Sequence, residues 1–284
     1  MNKKSLLAYP YIIWSALFIV IPLILVVIFS FTINVDGKNV FSLSNYKELI
    51  DPIYFKVFFR SIALAGLSTL ICLLIGYPVA YIVSKAPLSK RGTLILLFIL
   101  PMWMNFLLRT YSWMTILEDN GFLTTGLNYI VESINNLAGL NLEPIHLINT
   151  RGAVVLGMVY NFLPYMILPI YTVMLKADRS LVEAAQDLGG NKLDVFRNVT
   201  IPLSLPGIVS GFTMVFVPSV STFFISQKLG GTGTTLIGDI IETQFQTANN
   251  FNLGASLSFV LMILIFICLA VMNKFSDDDG GVVI

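Results

Sequence analysis

Long apolar stretches, separated by short polar segments, run through the whole chain. An α-helix needs about 20 mostly apolar residues to cross about 30 Å of hydrocarbon, and six stretches reach that length. The pattern therefore predicts an all-α integral membrane protein with six transmembrane helices. They are expected at residues 10–32, 57–83, 93–117, 152–175, 204–227 and 254–273.

The composition agrees with a membrane protein and excludes several functions. Apolar residues make up 56% of the chain, charged residues make up 12%, and the mean hydropathy is +0.82, whereas soluble domains carry about 25% charged residues. Cys72 and Cys268 lie inside apolar runs and His146 lies in a loop, so no disulfide framework or Cys/His metal site is expected. A net charge of +1 with scattered Lys and Arg predicts no nucleic-acid partner.

The positions of Lys and Arg predict which side of the membrane each loop faces. Lys3 and Lys4 precede the first span as in a signal peptide, but the apolar run is long and no small-residue cleavage site follows, so a retained span is expected. With the N-terminus inside, ten Lys and Arg fall on cytoplasmic segments and six on outer segments. A multi-pass protein of the cytoplasmic membrane is expected, with both termini and the polar segment after the fourth span in the cytoplasm.

Two of the outer loops are expected to contain helices. Residues 42–62 begin with apolar positions at helical spacing, which predicts an amphipathic helix that Ser44 or Asn45 caps and Pro52 ends. The loop 118–151 has apolar residues three and four apart, which predicts a helix along the membrane surface. These residues are Leu127, Ile130, Val131 and Ile134.

The third outer loop begins with a glycine pattern that imitates a phosphate-binding loop. Gly231 and Gly233 fit its start, but Leu236 stands where a third glycine belongs and no Gly-Lys-Ser/Thr follows. A flexible gate or a turn is therefore expected. Because the chain has no Walker motif, any ATP must bind to another polypeptide.

A polar segment, SLVEAAQDLGGNKLDVFRNVTIPLSLPG, separates the fourth and fifth spans. Ser180 and Glu183 have the spacing of a capping box, and Gly189 with Gly190 is expected to end the helix. A second short helix is predicted from Asn191, and Pro202 with Pro206 is expected to close the segment. Between these ends lies a small apolar face of Leu181, Ala184, Ala185 and Leu188.

The small apolar face must be buried, either against the chain's own helix ends or in a groove on a partner. Its spacing favours the partner, because Glu183-Ala-Ala, three residues, Gly189, nine residues and then Val199-x-Ile201-Pro202 resembles the EAA signature of ABC-importer permeases. Val199 and Ile201 depart from that signature by conservative aliphatic changes. Four longer segments resemble the spermidine/putrescine permeases of this MetI-like family. They are NYKELIDPIYFKVFFRSI, PMWMNFLLRTYSW, YNFLPYMILPIY and FFISQKLGGTGTTLIGDIIETQF.

The resemblance implies a type I ABC importer transmembrane domain and a set of partners. Two unlike permease subunits would pair in the lipid around one pathway, a homodimeric ABC ATPase would bind ATP and Mg beneath them, and an extracellular polyamine-binding protein would deliver the cargo. This chain would bind no cofactor and catalyse no reaction. The implied organisation is an N-terminal span with an outer amphipathic segment at 1–56, a permease core at 57–273 with a coupling helix near 181–198, and a disordered tail at 274–284. The implied ATPase-coupling residues are Glu183, Ala184, Ala185, Leu188, Gly189, Phe196 and Pro202.

Residues along the pathway are candidates by their chemistry. Arg109 is the only charge well inside a span; it is expected to reach the outer surface, to pair with Glu118 or Asp119, or to act in gating. Aromatic faces can bind a polyamine through cation–π contacts, although aromatic residues in spans also pack or contact lipid. Tyr160 and Asn161, a polar pair followed by Pro164, are expected to face a cavity. The remaining candidates are Trp103, Tyr111, Trp113, Tyr165, Phe223 and Phe224, with the acids Asp239 and Glu242.

Three alternatives stay open at this point. The cargo could instead be ferric iron, an oxyanion or a sugar, because the coupling motif carries no information about the substrate. A membrane-embedded enzyme would need a catalytic constellation in the spans, and a secondary carrier would show two matching halves with charged relay residues.

Gly207 and Gly211, spaced as a small-xxx-small pair, predict close helix packing within this subunit or with the partner permease.

Overall fold

The computed structural model describes residues 9–35 and 38–277 and confirms a mostly helical chain. Two short antiparallel strands, β1 (Thr32–Val35) and β2 (Lys38–Phe41), are also present. The helices are α1 (Tyr9–Ser15), α2 (Ile21–Ser30), α3 (Ser44–Leu49), α4 (Pro52–Lys85), α5 (Leu88–Ile99), α6 (Phe106–Leu117), α7 (Phe122–Ala138), α8 (Arg151–Lys176), α9 (Arg179–Asp187), α10 (Lys192–Val195), α11 (Ile201–Ser221), α12 (Phe224–Leu229), α13 (Ile237–Gln246) and α14 (Phe251–Asp277).

Five helical segments in the described part of the chain are long and apolar enough to cross a membrane, and a bent pair can supply a sixth. The bend of 88° separates Leu88–Trp103 from Phe106–Ala138. The predicted third span, 93–117, is therefore interrupted by this bend. Its break has a local cause, because a 3₁₀ turn forms at Leu100–Trp103 and the Asn105 side chain then accepts the Leu107 N–H at 2.8 Å to start α6.

One compact unit comprises residues 59–236 and 268–277, and its core lies between α8 and α11. Gly207 and Gly211 lie where these two helices approach most closely. A Cβ atom on Gly207 would lie 2.9 Å from the Cα of Ile170, and one on Gly211 would lie 2.8 Å from the Sδ of Met166. The predicted close packing is confirmed, and it occurs within this subunit.

The other compact unit comprises residues 9–35, 38–58 and 237–267. In it the start of α14 is tied to the end of α2 by hydrogen bonds. The Asn252 side chain donates to the carbonyl of Thr32 at 2.8 Å, and the Ser256 hydroxyl donates to the carbonyl of Ser30 at 2.9 Å. The Ser30 carbonyl is one of those that the end of a helix leaves unpaired, whereas the Thr32 carbonyl belongs to β1.

The predicted outer helices are present with altered ends. Helix α3 is only six residues long, Leu43 precedes it, and Pro52 begins α4 rather than only ending α3. The helix predicted in the loop 118–151 is present as α7.

The glycine-rich loop forms a turn, which is one of the two structures predicted for it. Residues Thr232–Thr234 form one 3₁₀ turn, and Arg60 Nη1 donates to the carbonyl of Gly233 at 3.1 Å. The φ angle of Gly231 is +57°, which glycine adopts without strain.

The two ends of the chain extend beyond the described residues. Lys3 and Lys4, which support the predicted orientation, lie outside them, as do residues 278–284 of the predicted disordered tail. The first four residues of that tail, 274–277, are helical, because α14 continues to Asp277.

Candidate coupling surface and transport pathway

Helix α9 begins at a different cap from the predicted one. The carboxylate of Asp178 accepts the backbone N–H of Ser180 at 2.9 Å, and α9 starts at Arg179. Ser180 is therefore inside the helix and is not its cap. Hydrogen bonds from the backbone and then the side chain of Ser180 hold the pKa of Asp178 below its usual value, so the cap is charged at neutral pH.

Two glycines end α9, as predicted. Gly189 has a φ angle of +86°, which is rarely open to other residues. Its N–H donates to the carbonyl of Gln186 at 2.9 Å, and the N–H of Gly190 donates to that of Ala185 at 3.1 Å. This pair of bonds is the Schellman arrangement. It turns the chain sharply and fixes the direction in which α9 points.

The apolar residues of α9 divide between the chain's own core and solvent. Val182 and Ala185 are half-buried, whereas Ala184 is exposed and Leu181 and Leu188 are 48% and 90% exposed. We call Leu181, Ala184 and Leu188 the exposed face of α9. Because these residues recur at intervals of three and four, they lie on one side of the helix, and no described residue covers them.

The second half of the segment is anchored to the chain itself. Asn191 caps α10 in a capping box with Asp194, as its sequence position predicted. Phe196 packs edge-on against Tyr77 and Tyr81 of α4, with ring centroids 5.9 and 5.7 Å apart. Phe196 therefore holds the segment to a span.

Pro202 and Pro206 do not close the segment, contrary to the prediction, because one helix runs continuously over Lys192–Ser221. A π-helical turn at Phe196–Thr200 precedes Pro202, and the N–H of Ile201 donates to the carbonyl of Phe196. Pro202 then falls in the first turn of α11, where a missing N–H is tolerated. Motion of the segment would therefore pass directly into α11.

Arg109 is buried, at 8% exposure. The prediction that its side chain reaches the outer surface is therefore wrong. Its predicted ion pairs with Glu118 and Asp119 are also absent among the described residues. Asp119 pairs with His146 instead, at 2.8 Å. Its Cζ lies 6.0 Å from the ring of Phe106, and its Nε and Nη1 have no hydrogen-bond partner. An acceptor for this guanidinium group is missing from the described chain.

Tyr111 and Phe224 form two walls around a lysine. Their ring centroids lie 5.6 Å apart, nearly perpendicular, and Lys228 Nζ lies 5.5 and 5.8 Å from them. We call the two rings of Tyr111 and Phe224 the aromatic cage. It shows that this pair of rings can hold an ammonium group by cation–π attraction.

The other candidates are distributed among several environments. Trp113 and Tyr160 pack edge to face on each other, 5.3 Å apart. Asn161 is buried; its Nδ2 donates to the carbonyl of Gly157 at 2.9 Å, and its Oδ1 has no partner among the described residues. Trp103, Tyr165 and Phe223 are exposed, and on α13 of the other unit Asp239 is buried and Glu242 half-buried.

Sequence comparisons identify relatives over nearly the whole chain. A model of the family described as binding-protein-dependent transport system inner membrane component matches residues 2–277. The spermidine/putrescine transport system permease protein PotB of Escherichia coli (strain K12) is 37% identical over 261 residues, 91% of this chain and 92% of that protein.

Two solved transporters share the fold at low sequence identity. A bacterial alginate ABC transporter in complex with an alginate pentasaccharide-bound periplasmic protein has a TM-score of 0.78 and 14% identity, with 97% of this chain and 94% of that chain covered. The MetNI methionine ABC transporter in an inward-facing conformation has a TM-score of 0.57 and 15% identity, with 81% and 99% covered.

Proposed function

Because the chain belongs to the family of binding-protein-dependent transport system inner membrane components, we propose that it is the permease subunit of an ABC importer that moves spermidine and putrescine into the cytoplasm. The family consists of transport subunits rather than enzymes, and the fold is that of a type I ABC importer transmembrane domain. The polyamine cargo is supported by the relatives named PotB. Residues 57–273 would form the permease core and residues 1–56 a preceding span with its outer segment.

The exposed face of α9 carries the proposal of ATPase coupling. Leu181, Ala184 and Leu188 present an apolar surface that no described residue covers, while both ends of the helix are fixed by capping contacts. Glu183, Ala185 and Gly189 would complete the contact or its geometry, and the continuous helix from Lys192 would carry the motion to the membrane. The Lys and Arg distribution of the loops supports a cytoplasmic location for α9 and both termini.

The complete transporter would contain partners that supply the parts this chain lacks. We expect a second permease, a homodimeric ATPase that binds ATP and Mg, and an external polyamine-binding protein, of the PotC, PotA and PotD kinds respectively. The alginate transporter, whose solved complex contains a periplasmic protein, supports an arrangement with a delivering protein. Among the candidate pathway residues, the aromatic cage is the best supported, because it already surrounds an ammonium group.

Uptake of radiolabelled spermidine tests cargo and coupling together. Cells lacking the chain would receive the native chain, Ala184→Arg or the matched control Gln186→Arg, and the membrane level of each would be measured. Ala184 lies on the exposed face of α9, whereas Gln186 lies on another side of the same helix, so only Ala184→Arg is expected to abolish uptake. Ala184 is a better probe than the half-buried Ala185, where arginine would also disturb the chain's own packing.

Each outcome bears on a different part of the proposal. Uptake that survives Ala184→Arg would refute the coupling role of the exposed face. Spermidine uptake that never depends on the chain would refute the polyamine cargo, and the same cells would then be tested with ferric iron, oxyanions and sugars.

A further inference from the structure

A cavity of about 100 Å³ lies where α4, α5, α8, α9 and α11 meet. Its walls include the ends of α4 and α8 and the start of α9, so it lies directly beside the proposed coupling segment. Val182 of α9 faces it, on the opposite side of that helix from Ala184. None of the transport roles assigned above uses this cavity.

The cavity carries two cations whose charge is not balanced by an ion pair in the described chain. Lys85 Nζ contacts the Tyr81 hydroxyl and lies 4.2 Å from the centre of that ring. Arg91 Nη2 donates to the carbonyl of Ala86 at 3.0 Å, and its Nε is buried without a partner. Asp178, the one acidic residue of the lining, already accepts from the backbone of Ser180. The net positive charge therefore favours an anion and disfavours the polyamine cargo.

The rest of the lining combines the hydroxyl groups of Ser84, Thr200 and Ser204 with apolar side chains at helix ends. Met174 and Leu175 end α8, and Leu203 begins α11. A volume of about 100 Å³ corresponds to about three water molecules at about 30 Å³ each. It can hold a phosphate group and a few methylene groups, but not a whole amphiphile. Basic pockets between spans on the cytoplasmic side are suited to anionic headgroups.

We propose that this cavity binds the phosphate group of an anionic phospholipid of the cytoplasmic leaflet. Lys85 and Arg91 hold the phosphate, and the first methylene groups of the lipid lie against Met174 and Leu203. Because Val182 forms part of the wall, a bound headgroup restrains α9 and thereby sets how α9 meets the ATPase. The regulatory consequence and the choice of the cytoplasmic leaflet rest on the proposed function, whereas the binding of an anionic headgroup does not.

Native mass spectrometry of the purified full chain tests the binding without any partner. The chain would be placed in phosphatidylcholine nanodiscs and titrated with phosphatidylglycerol. The double variant Lys85→Gln/Arg91→Gln is expected to retain the anionic lipid about 10- to 30-fold more weakly, since each basic contact contributes about a factor of 5. The matched control Lys90→Gln/Lys176→Gln removes two exposed cations outside the cavity and is expected to bind as the native chain does.

Three results would overturn the proposal, and one adds support. Equal retention by the double variant and the control would show that the lipid binds elsewhere. Failure of Lys85→Arg/Arg91→Lys to retain binding would show that the charges are not what holds it. Displacement of phosphatidylglycerol by millimolar inorganic phosphate alone would identify a free-anion site instead. In the reconstituted transporter, ATPase activity that rises with phosphatidylglycerol in native and control proteins, but not in the double variant, would support the regulatory role.

Discussion

Replacing Gly207 by alanine tests how closely α8 and α11 pack. An ideal Cβ on Gly207 would lie 2.9 Å from the Cα of Ile170 and 3.0 Å from the carbonyl oxygen of Pro169. Both are backbone atoms, so a methyl group fits only if the two helices separate. Overpacking of this kind costs about 1–3 kcal/mol.

Gly66→Ala is the matched control, because Gly66 lies inside α4 and no atom lies within 4 Å of its Cβ position. Alanine stabilises a helix by roughly 0.5–1 kcal/mol relative to glycine. Because both substitutions receive this stabilisation, it cancels in the comparison. Gly207→Ala is therefore expected to be about 1–3 kcal/mol less stable than Gly66→Ala. The stability of Gly211→Ala should lie between those of the other two variants, since the nearest neighbour of its added Cβ is the flexible Met166 side chain at 2.8 Å.

The assay is the thermal unfolding midpoint of each purified chain in the same detergent. A change of 1 kcal/mol shifts the midpoint of a chain of 150–250 residues by roughly 2–4 °C, so the Gly207 variant should unfold several degrees below the Gly66 variant. If all three variants unfold at the same temperature, the helices do not approach as closely as the structure indicates, and the packing argument is wrong.

Three further substitutions follow from the functional surfaces. Gly189→Ala should strain the end of α9 by about 1–2 kcal/mol at a φ of +86° and lower substrate-stimulated ATPase activity, whereas Gly189→Asn should retain more of it; equal activities would contradict this. Lys228→Gln should lower the KM for spermidine about 2- to 10-fold by vacating the aromatic cage, while Lys228→Arg should not, and an unchanged KM would place the cage off the pathway. Arg109→Met should stabilise the isolated chain, as it removes two unpartnered buried nitrogens, but impair the assembled transporter; a loss of stability in the isolated chain would contradict the first part.

The coupling segment could be predicted from sequence because its determinants are local. The glycines that end α9 and the Asn191 cap depend on a few consecutive residues, and both are present. The error at Ser180 was equally local: Asp178, two residues earlier, accepts the Ser180 N–H, so two competent caps competed. An Asp-Gly pair at 36–37 is a hairpin signal that would have predicted β1 and β2.

The interruptions of the spans were harder to predict, because proline has opposite effects in different surroundings. Pro101 lies in the 3₁₀ turn that breaks the third span, whereas Pro202 follows a π-helical turn and the helix continues. Both prolines have apolar neighbours, Leu100 and Met102 at Pro101 and Ile201 and Leu203 at Pro202. What differs is the turn that receives it: a 3₁₀ turn and a new helix capped by Asn105 follow at Pro101, whereas a π-helical turn leads into Pro202 without a break.

The transport pathway could not be assigned from residue type, because helix rotation and assembly decide which side chains face it. Trp113 and Tyr160 pack on each other, while Tyr111 and Phe224, of the same chemical kind, hold Lys228. Arg109 is the candidate residue whose hydrogen bonding depends most on assembly with a second permease. A buried guanidinium group with two unpartnered nitrogens carries an uncompensated desolvation cost, which an acceptor from a second permease would remove.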